Sequence, residues 1–82
     1  MKNYDDVMYS CSEIFRTVFS DPQLSVNVTT SASDIANWDS LAQITLLMSI
    51  ERTFEIQFSL DEVGDLQNVG EIVELILAKV NQ

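Results

Sequence analysis

The chain contains no histidine, and this absence limits the chemistry that it can perform. A Ser-His-Asp arrangement cannot form, because the residue that takes the serine proton is missing. Cysteine occurs once, at Cys11, which excludes an internal disulfide and favours a reducing compartment. The acidic stretch DIANWD at 34–39 lacks the glycine and the distal glutamate of a calcium loop. We therefore expect a cytoplasmic protein with no catalytic residues and no metal.

Basic residues are also scarce. Four lysines and arginines face thirteen acids, giving a formal net charge of −9 over 82 residues. This balance argues against nucleic acid or an anionic membrane as a partner, because both require a basic footprint. It favours basic protein surfaces as partners, although acidity that serves only solubility remains an alternative.

Long apolar runs are missing as well. No segment approaches the 18 apolar residues of a membrane helix, and the N-terminal MKNYDDVMYS has no apolar core of a signal peptide. We therefore expect neither membrane insertion nor secretion.

Glycine occurs twice and proline once, so few residues interrupt regular structure. Apolar residues recur with helical spacing from Tyr4 to Phe19, which predicts an amphipathic helix capped by Asn3. This first stripe consists of Tyr4, Val7, Met8, Cys11, Ile14, Phe15 and Val18. The polar segment 20–38 that follows predicts a long ordered loop, held by scattered apolar side chains.

Three further segments carry helix signals. The first runs over 40–54 after Asp39, a good N-cap. A short helix over about 60–64 follows the capping-box pair Ser59 and Glu62, and a last helix over 69–80 follows Asn68. The sequence thus predicts one all-α domain spanning 1–82, a small monomeric four-helix bundle with three main helices, a short third helix and a long first loop.

The second helix carries two apolar stripes. The stripe predicted to face the core consists of Leu46, Leu47, Ile50 and Phe54. The neighbouring stripe and its borders consist of Leu41, Ile44, Thr45, Met48, Glu51 and Arg52. Two interpretations stay open: a central helix that packs on two sides, or a partly exposed face that binds partners.

Ser40 lies at the start of this helix. Asp39 is the better cap, which leaves the serine hydroxyl pointing outward at a helix N-terminus. Free amide groups and the helix dipole favour an anion there, so the position suits an attached phosphate group.

The segment WDSLAQITLLMSIERTFEIQFSLDEVGDLQNVGEIVELI resembles the acyl carrier protein family over about half the chain. The resemblance implies a carrier rather than an enzyme, with a 4′-phosphopantetheine arm on Ser40 that holds acyl groups as thioesters. By the same resemblance, a phosphopantetheinyl transferase recognises Asp39 and Leu41. Acyl- or aminoacyl-activating and acyl-transferring enzymes are the other implied partners. The resemblance also suggests an acyl-chain cavity, lined by Leu46, Leu47, Ile72 and Ile76.

The chain departs from the family pattern in places. Carriers of general fatty acid biosynthesis tend to have acids where this chain has Ala42, Thr45 and Arg52, and Trp38 replaces a small or polar residue. The form WDSL is similar to dedicated carriers of secondary metabolite, lipid or surface polysaccharide biosynthesis. Two alternatives remain: an aminoacyl or peptidyl carrier, and a helical interaction module that never receives a cofactor.

Overall fold

The computed structural model describes residues 3–64 and 66–81 of the chain. Within these ranges the backbone forms α-helices and one 3₁₀ helix, and no strand. The α-helices are α1 (Tyr4–Val18), α2 (Ser40–Phe54), α3 (Leu60–Val63) and α4 (Val69–Val80), and the 3₁₀ helix is Ala32–Asp34. The predicted all-α fold is confirmed.

Each α-helix begins at a polar cap that the sequence predicts. The caps are Asn3, Asp39, Ser59 and Asn68, and each side chain accepts a hydrogen bond from the backbone N–H three residues later. These bonds satisfy N–H groups that have no partner within the helix. Two helices end one residue earlier than predicted. The helix α1 ends at Val18 instead of Phe19, and α3 ends at Val63, with Gly64 as its C-cap.

The core lies where α1 packs against α2 and α4. Its fully buried large side chains include Phe15, Leu46, Ile50, Ile72 and Ile76.

Two sequence predictions were wrong in detail. Tyr4 is 37% exposed, because it lies in the first turn of α1, where a phenol can stay in contact with water. Leu47 is half-buried, because it lies at the edge of the core stripe of α2.

The long α1–α2 loop is held by backbone hydrogen bonds to the start of α4. The Val69 N–H donates to the Thr30 carbonyl at 2.9 Å, and the Gly70 N–H donates to the Val28 carbonyl at 2.9 Å. A Cβ on Gly70 would lie 2.9 Å from that same carbonyl oxygen, so only glycine permits this approach. The loop carbonyls thus satisfy the first two N–H groups of α4, as a helix cap would. Because these bonds hold the loop against α4, its length is compatible with a compact fold.

None of the helices in the described parts of the chain is both long enough and apolar enough to cross a bilayer.

Candidate functional site: a serine at the mouth of a groove

Ser40 is the first residue of α2, and its side chain is exposed. The capping work is done by Asp39, whose Oδ1 accepts from the Ala42 N–H at 2.9 Å and whose carbonyl accepts from the Gln43 N–H at 2.9 Å. Among residues 3–64 and 66–81, the Ser40 hydroxyl has no hydrogen-bond partner. A free hydroxyl therefore stands at the positive end of a helix dipole.

Ser40 opens onto a groove of about 500 Å³. One wall comes from α2 and the residues before it, and the other comes from α4 and the segment that leads into it. The lining combines apolar and polar side chains: Ala32, Trp38, Asp39, Ser40, Gln43, Ile44, Leu66, Gln67, Asn68 and Ile72. Such a mixture suits an elongated ligand that has both apolar and hydrogen-bonding groups.

Trp38 forms a rigid part of this groove. Its indole packs edge-on against Phe15, with ring centroids 5.2 Å apart, and lies 6.1 Å from the ring of Phe19. The indole N–H donates to Oε1 of Gln43 at 2.5 Å. The aromatic packing and this hydrogen bond together fix the indole beside Ser40.

The four residues suggested for an acyl-chain cavity are not brought together on this groove. Ile72 lines it, whereas Leu46 and Ile76 are fully buried in the core and Leu47 is half-buried. A separate acyl compartment therefore stays a prediction.

Sequence reasoning missed six groove residues: Ala32, Trp38 and Leu66 as apolar lining, and Gln43, Gln67 and Asn68 as polar lining. A signal existed for Gln43, because it lies three residues after Ser40 and thus on the same side of the helix. Asn68 was identified only as a cap.

The second stripe of α2 is exposed. Leu41 is 72% exposed, and Ile44 and Met48 are each 56% exposed. Thr45 between them is also exposed, and its hydroxyl donates to the Leu41 carbonyl. Of the two open interpretations, packing on both sides of α2 is therefore wrong for these residues, and they are available to a partner. Leu60 on α3, which no periodicity singled out, is 89% exposed.

The two charged residues at the border of this stripe differ in their surroundings. The Glu51 carboxylate is half-buried and accepts a hydrogen bond from the Phe58 N–H at 2.8 Å. Glu51 thus holds the α2–α3 loop. Arg52 is exposed and lines a second groove of about 410 Å³ beside Tyr9 of α1.

In the part of the chain that the structure describes, no group of three or more acids, cysteines or histidines is arranged to hold a metal ion.

Residues 12–76 match the family described as a phosphopantetheine attachment site, which covers most of the chain. The fold also matches the solution structure of the holo acyl carrier protein from Geobacter metallireducens, with a TM-score of 0.87 and 37% identity. The match covers 92% of this chain and 86% of that protein. The chain belongs to the acyl carrier protein family. No curated protein matches it in sequence.

As an acyl carrier protein, the chain is not an enzyme; it uses a 4′-phosphopantetheine group and works with a phosphopantetheinyl transferase and partner enzymes. The residues around Ser40 fit that group. A phosphodiester needs a hydroxyl oxygen, which Ser40 offers unbonded, and the adjoining groove has room for an elongated arm. When bound, the group supplies a terminal thiol that holds acyl cargo as a thioester.

Proposed function

We propose that Ser40 is the attachment residue of the arm, and that this carrier presents acyl thioesters to the enzymes of a specialised biosynthetic pathway. The observation that carries the proposal is the exposed Ser40 hydroxyl, left unbonded because Asp39 caps the helix. The N-terminus of α2 favours the negative charge of a phosphodiester.

Attachment is a phosphoryl transfer that another enzyme performs. The Ser40 oxygen loses its proton and bonds to the phosphorus next to pantetheine in coenzyme A. The diphosphate bond breaks, and adenosine 3′,5′-bisphosphate leaves with the electron pair. We propose that the transferase contacts Asp39 and Leu41, which flank the acceptor serine and are both exposed.

Intact-mass measurement after incubation with coenzyme A and a phosphopantetheinyl transferase tests this assignment. We expect a mass gain of one phosphopantetheine group on the native chain and none on Ser40→Ala. Ser25→Ala, which removes an exposed hydroxyl from the α1–α2 loop, should be modified like the native chain. An equal gain on Ser40→Ala would refute the assignment.

The pathway proposal is supported by the surface of α2 after Ser40. That surface exposes apolar side chains at Leu41, Ile44 and Met48. Glu51 is engaged with the Phe58 N–H, so its carboxylate is less available to a basic partner. We therefore expect partner enzymes whose docking surfaces are apolar in the centre and less basic than those of general fatty acid synthesis.

Malonyl transfer tests the pathway proposal. The malonyl-transferring enzyme of general fatty acid synthesis should load the holo chain slowly from malonyl coenzyme A. The double variant Ala42→Asp, Thr45→Glu should load faster, because it adds acids to the docking face. Native loading as fast as that of a general fatty acid carrier would contradict the proposal.

Parallel assays with acyl- and amino-acid-activating enzymes separate an acyl carrier from an aminoacyl carrier.

A further inference from the structure

Three side-chain amides line the groove beside Ser40, and those of Gln43 and Asn68 each have an oxygen that is already engaged. Oε1 of Gln43 accepts from the Trp38 indole N–H, and Oδ1 of Asn68 accepts from the Glu71 N–H at 3.0 Å. An indole N–H and a backbone N–H can only donate, so the amide atom that faces each of them must be the oxygen. The orientation of both amides is therefore fixed.

It follows that each amide leaves its NH₂ group for another partner. Within the described residues neither nitrogen donates to an acceptor, although both side chains are half-buried in the groove lining. The one carboxylate of the lining, Asp39, already accepts from the Ala42 N–H. The groove therefore offers donors from two walls and suits a ligand that has carbonyl oxygens.

We propose that Gln43 and Asn68 bind carbonyl oxygens of the pantetheine arm and thereby hold the arm in the groove. This inference rests on the proposed attachment at Ser40, since only an arm that starts there is delivered to the groove. A pantetheine arm contains two amide carbonyls and an apolar dimethyl segment. Its carbonyls match the two free NH₂ groups, and its apolar segment matches Ile72 and the indole of Trp38.

Trp38 acts as a positioning residue in this arrangement. Its ring is held by Phe15 and Phe19, and its N–H holds the Gln43 oxygen, so the Gln43 NH₂ group is presented in one orientation. Trp38 is also the sole tryptophan of the chain, which makes its indole N–H a unique spectroscopic reporter at the groove.

The test compares apo and holo protein by intact mass and by ¹H–¹⁵N NMR of the indole and side-chain amides. We expect the Gln43, Asn68 and Trp38 signals to shift on modification, with contacts between the arm's methyl groups and the indole. The amide of Gln57, exposed in the α2–α3 loop, should stay unchanged.

Near-isosteric variants separate the donor role from a structural role. Gln43→Glu and Asn68→Asp keep the oxygen that the protein already uses and remove the NH₂ donor. Each should lower the docked-to-free ratio of the arm by about two- to tenfold, the range expected for one hydrogen bond. Gln57→Glu adds the same charge and should have no effect. Gln43→Met removes the donor without adding charge and should act like Gln43→Glu.

Trp38→Phe keeps the ring packing but releases the Gln43 amide, and should also free the arm. An apo spectrum that keeps its native dispersion shows that a variant still folds. The outcomes are distinguishable. No mass gain on the native chain overturns the attachment at Ser40 and this inference with it. Modification without shifts at Gln43 and Asn68, or an arm that stays docked in Gln43→Met, overturns this inference alone.

Discussion

Neighbouring residues at the start of α2 have separate roles. Asp39 caps the helix, Ser40 keeps an unbonded hydroxyl, and Leu41 is 72% exposed one position later. The cap and the acceptor are separate residues, so the hydroxyl can be modified without removing the bond that starts the helix. This separation is a local property, and the sequence Asp-Ser-Leu was sufficient to predict it.

Cys11 shows the opposite behaviour, because its chemistry is suppressed by the fold. Its side chain is fully buried, and burial raises the pKa of the thiol from 9.0 to about 12. We expect apo protein to react with a thiol reagent such as dithionitrobenzoate only after a denaturant is added. Holo protein should show one fast thiol, that of the arm. Fast reaction of native apo protein would contradict the burial of Cys11.

The raised pKa of Cys11 also lowers the stability of the folded chain at high pH. Cys11 stays protonated in the folded chain, while the unfolded chain loses this proton above pH 9.0. The contribution of the buried, protonated thiol to the free energy of unfolding is therefore complete below pH 9.0. It is lost as the pH rises towards about 12. Urea midpoints measured across this range should fall in the native chain and fall less in Cys11→Ala.

At the scale of elements, the helices are connected by a few specific hydrogen bonds. Carbonyls of the α1–α2 loop accept from the first N–H groups of α4, and the Glu51 carboxylate accepts from the Phe58 N–H in the α2–α3 loop. Lys79 of α4 forms an ion pair of 2.9 Å with Glu62 of α3. The Ser59 N–H and then Lys79 hold the pKa of Glu62 below its usual value. These contacts connect α3 and the start of α4 to their neighbours, and the segment between α3 and α4 contributes to the second wall of the groove.

Glu51→Gln tests the role assigned to the Glu51 carboxylate. The substitution replaces a charge-assisted hydrogen bond in a half-buried site, so we expect a loss of about 1–2 kcal/mol in the free energy of unfolding. Glu55→Gln, at an exposed residue four positions later, should change it by less than about 0.5 kcal/mol. Urea unfolding measures both. Equal effects would mean that Glu51 has no special role in the loop.

At the scale of the whole molecule, the net charge of −9 is the dominant electrostatic feature. Across residues 3–64 and 66–81 the structure has a single ion pair, Lys79–Glu62, so most acids have no basic partner within 4 Å. Repulsion among them opposes the compact state.

Added salt should therefore stabilise this carrier, because screening weakens the repulsion among the acids. Salt also weakens attractive ion pairs, but only one is present among the described residues. We expect the urea midpoint to rise between low and high sodium chloride. The double variant Glu55→Gln, Glu74→Gln removes two exposed charges and should respond less. A midpoint that falls with salt would show that attractive pairs dominate.

The sequence by itself determined the helices and the candidate modification site. The four caps, the helical stripes and the Asp-Ser-Leu triplet all depend on residues within a few positions of one another, so local hydrogen bonding and periodicity reveal them. The family resemblance followed from the same local motifs. The 3₁₀ helix Ala32–Asp34 was missed because its three residues carry no periodic signal.

The tertiary structure alone decided whether the second apolar stripe of α2 is covered and what lines the groove. The periodicity predicts that Leu46 faces the core, but only the packing of the helices determines that Met48 stays uncovered, at 56% exposed. The groove joins Trp38 and Gln43 to Asn68, some 25 positions further along the chain. Contacts over such distances depend on how the helices pack, which no local pattern specifies.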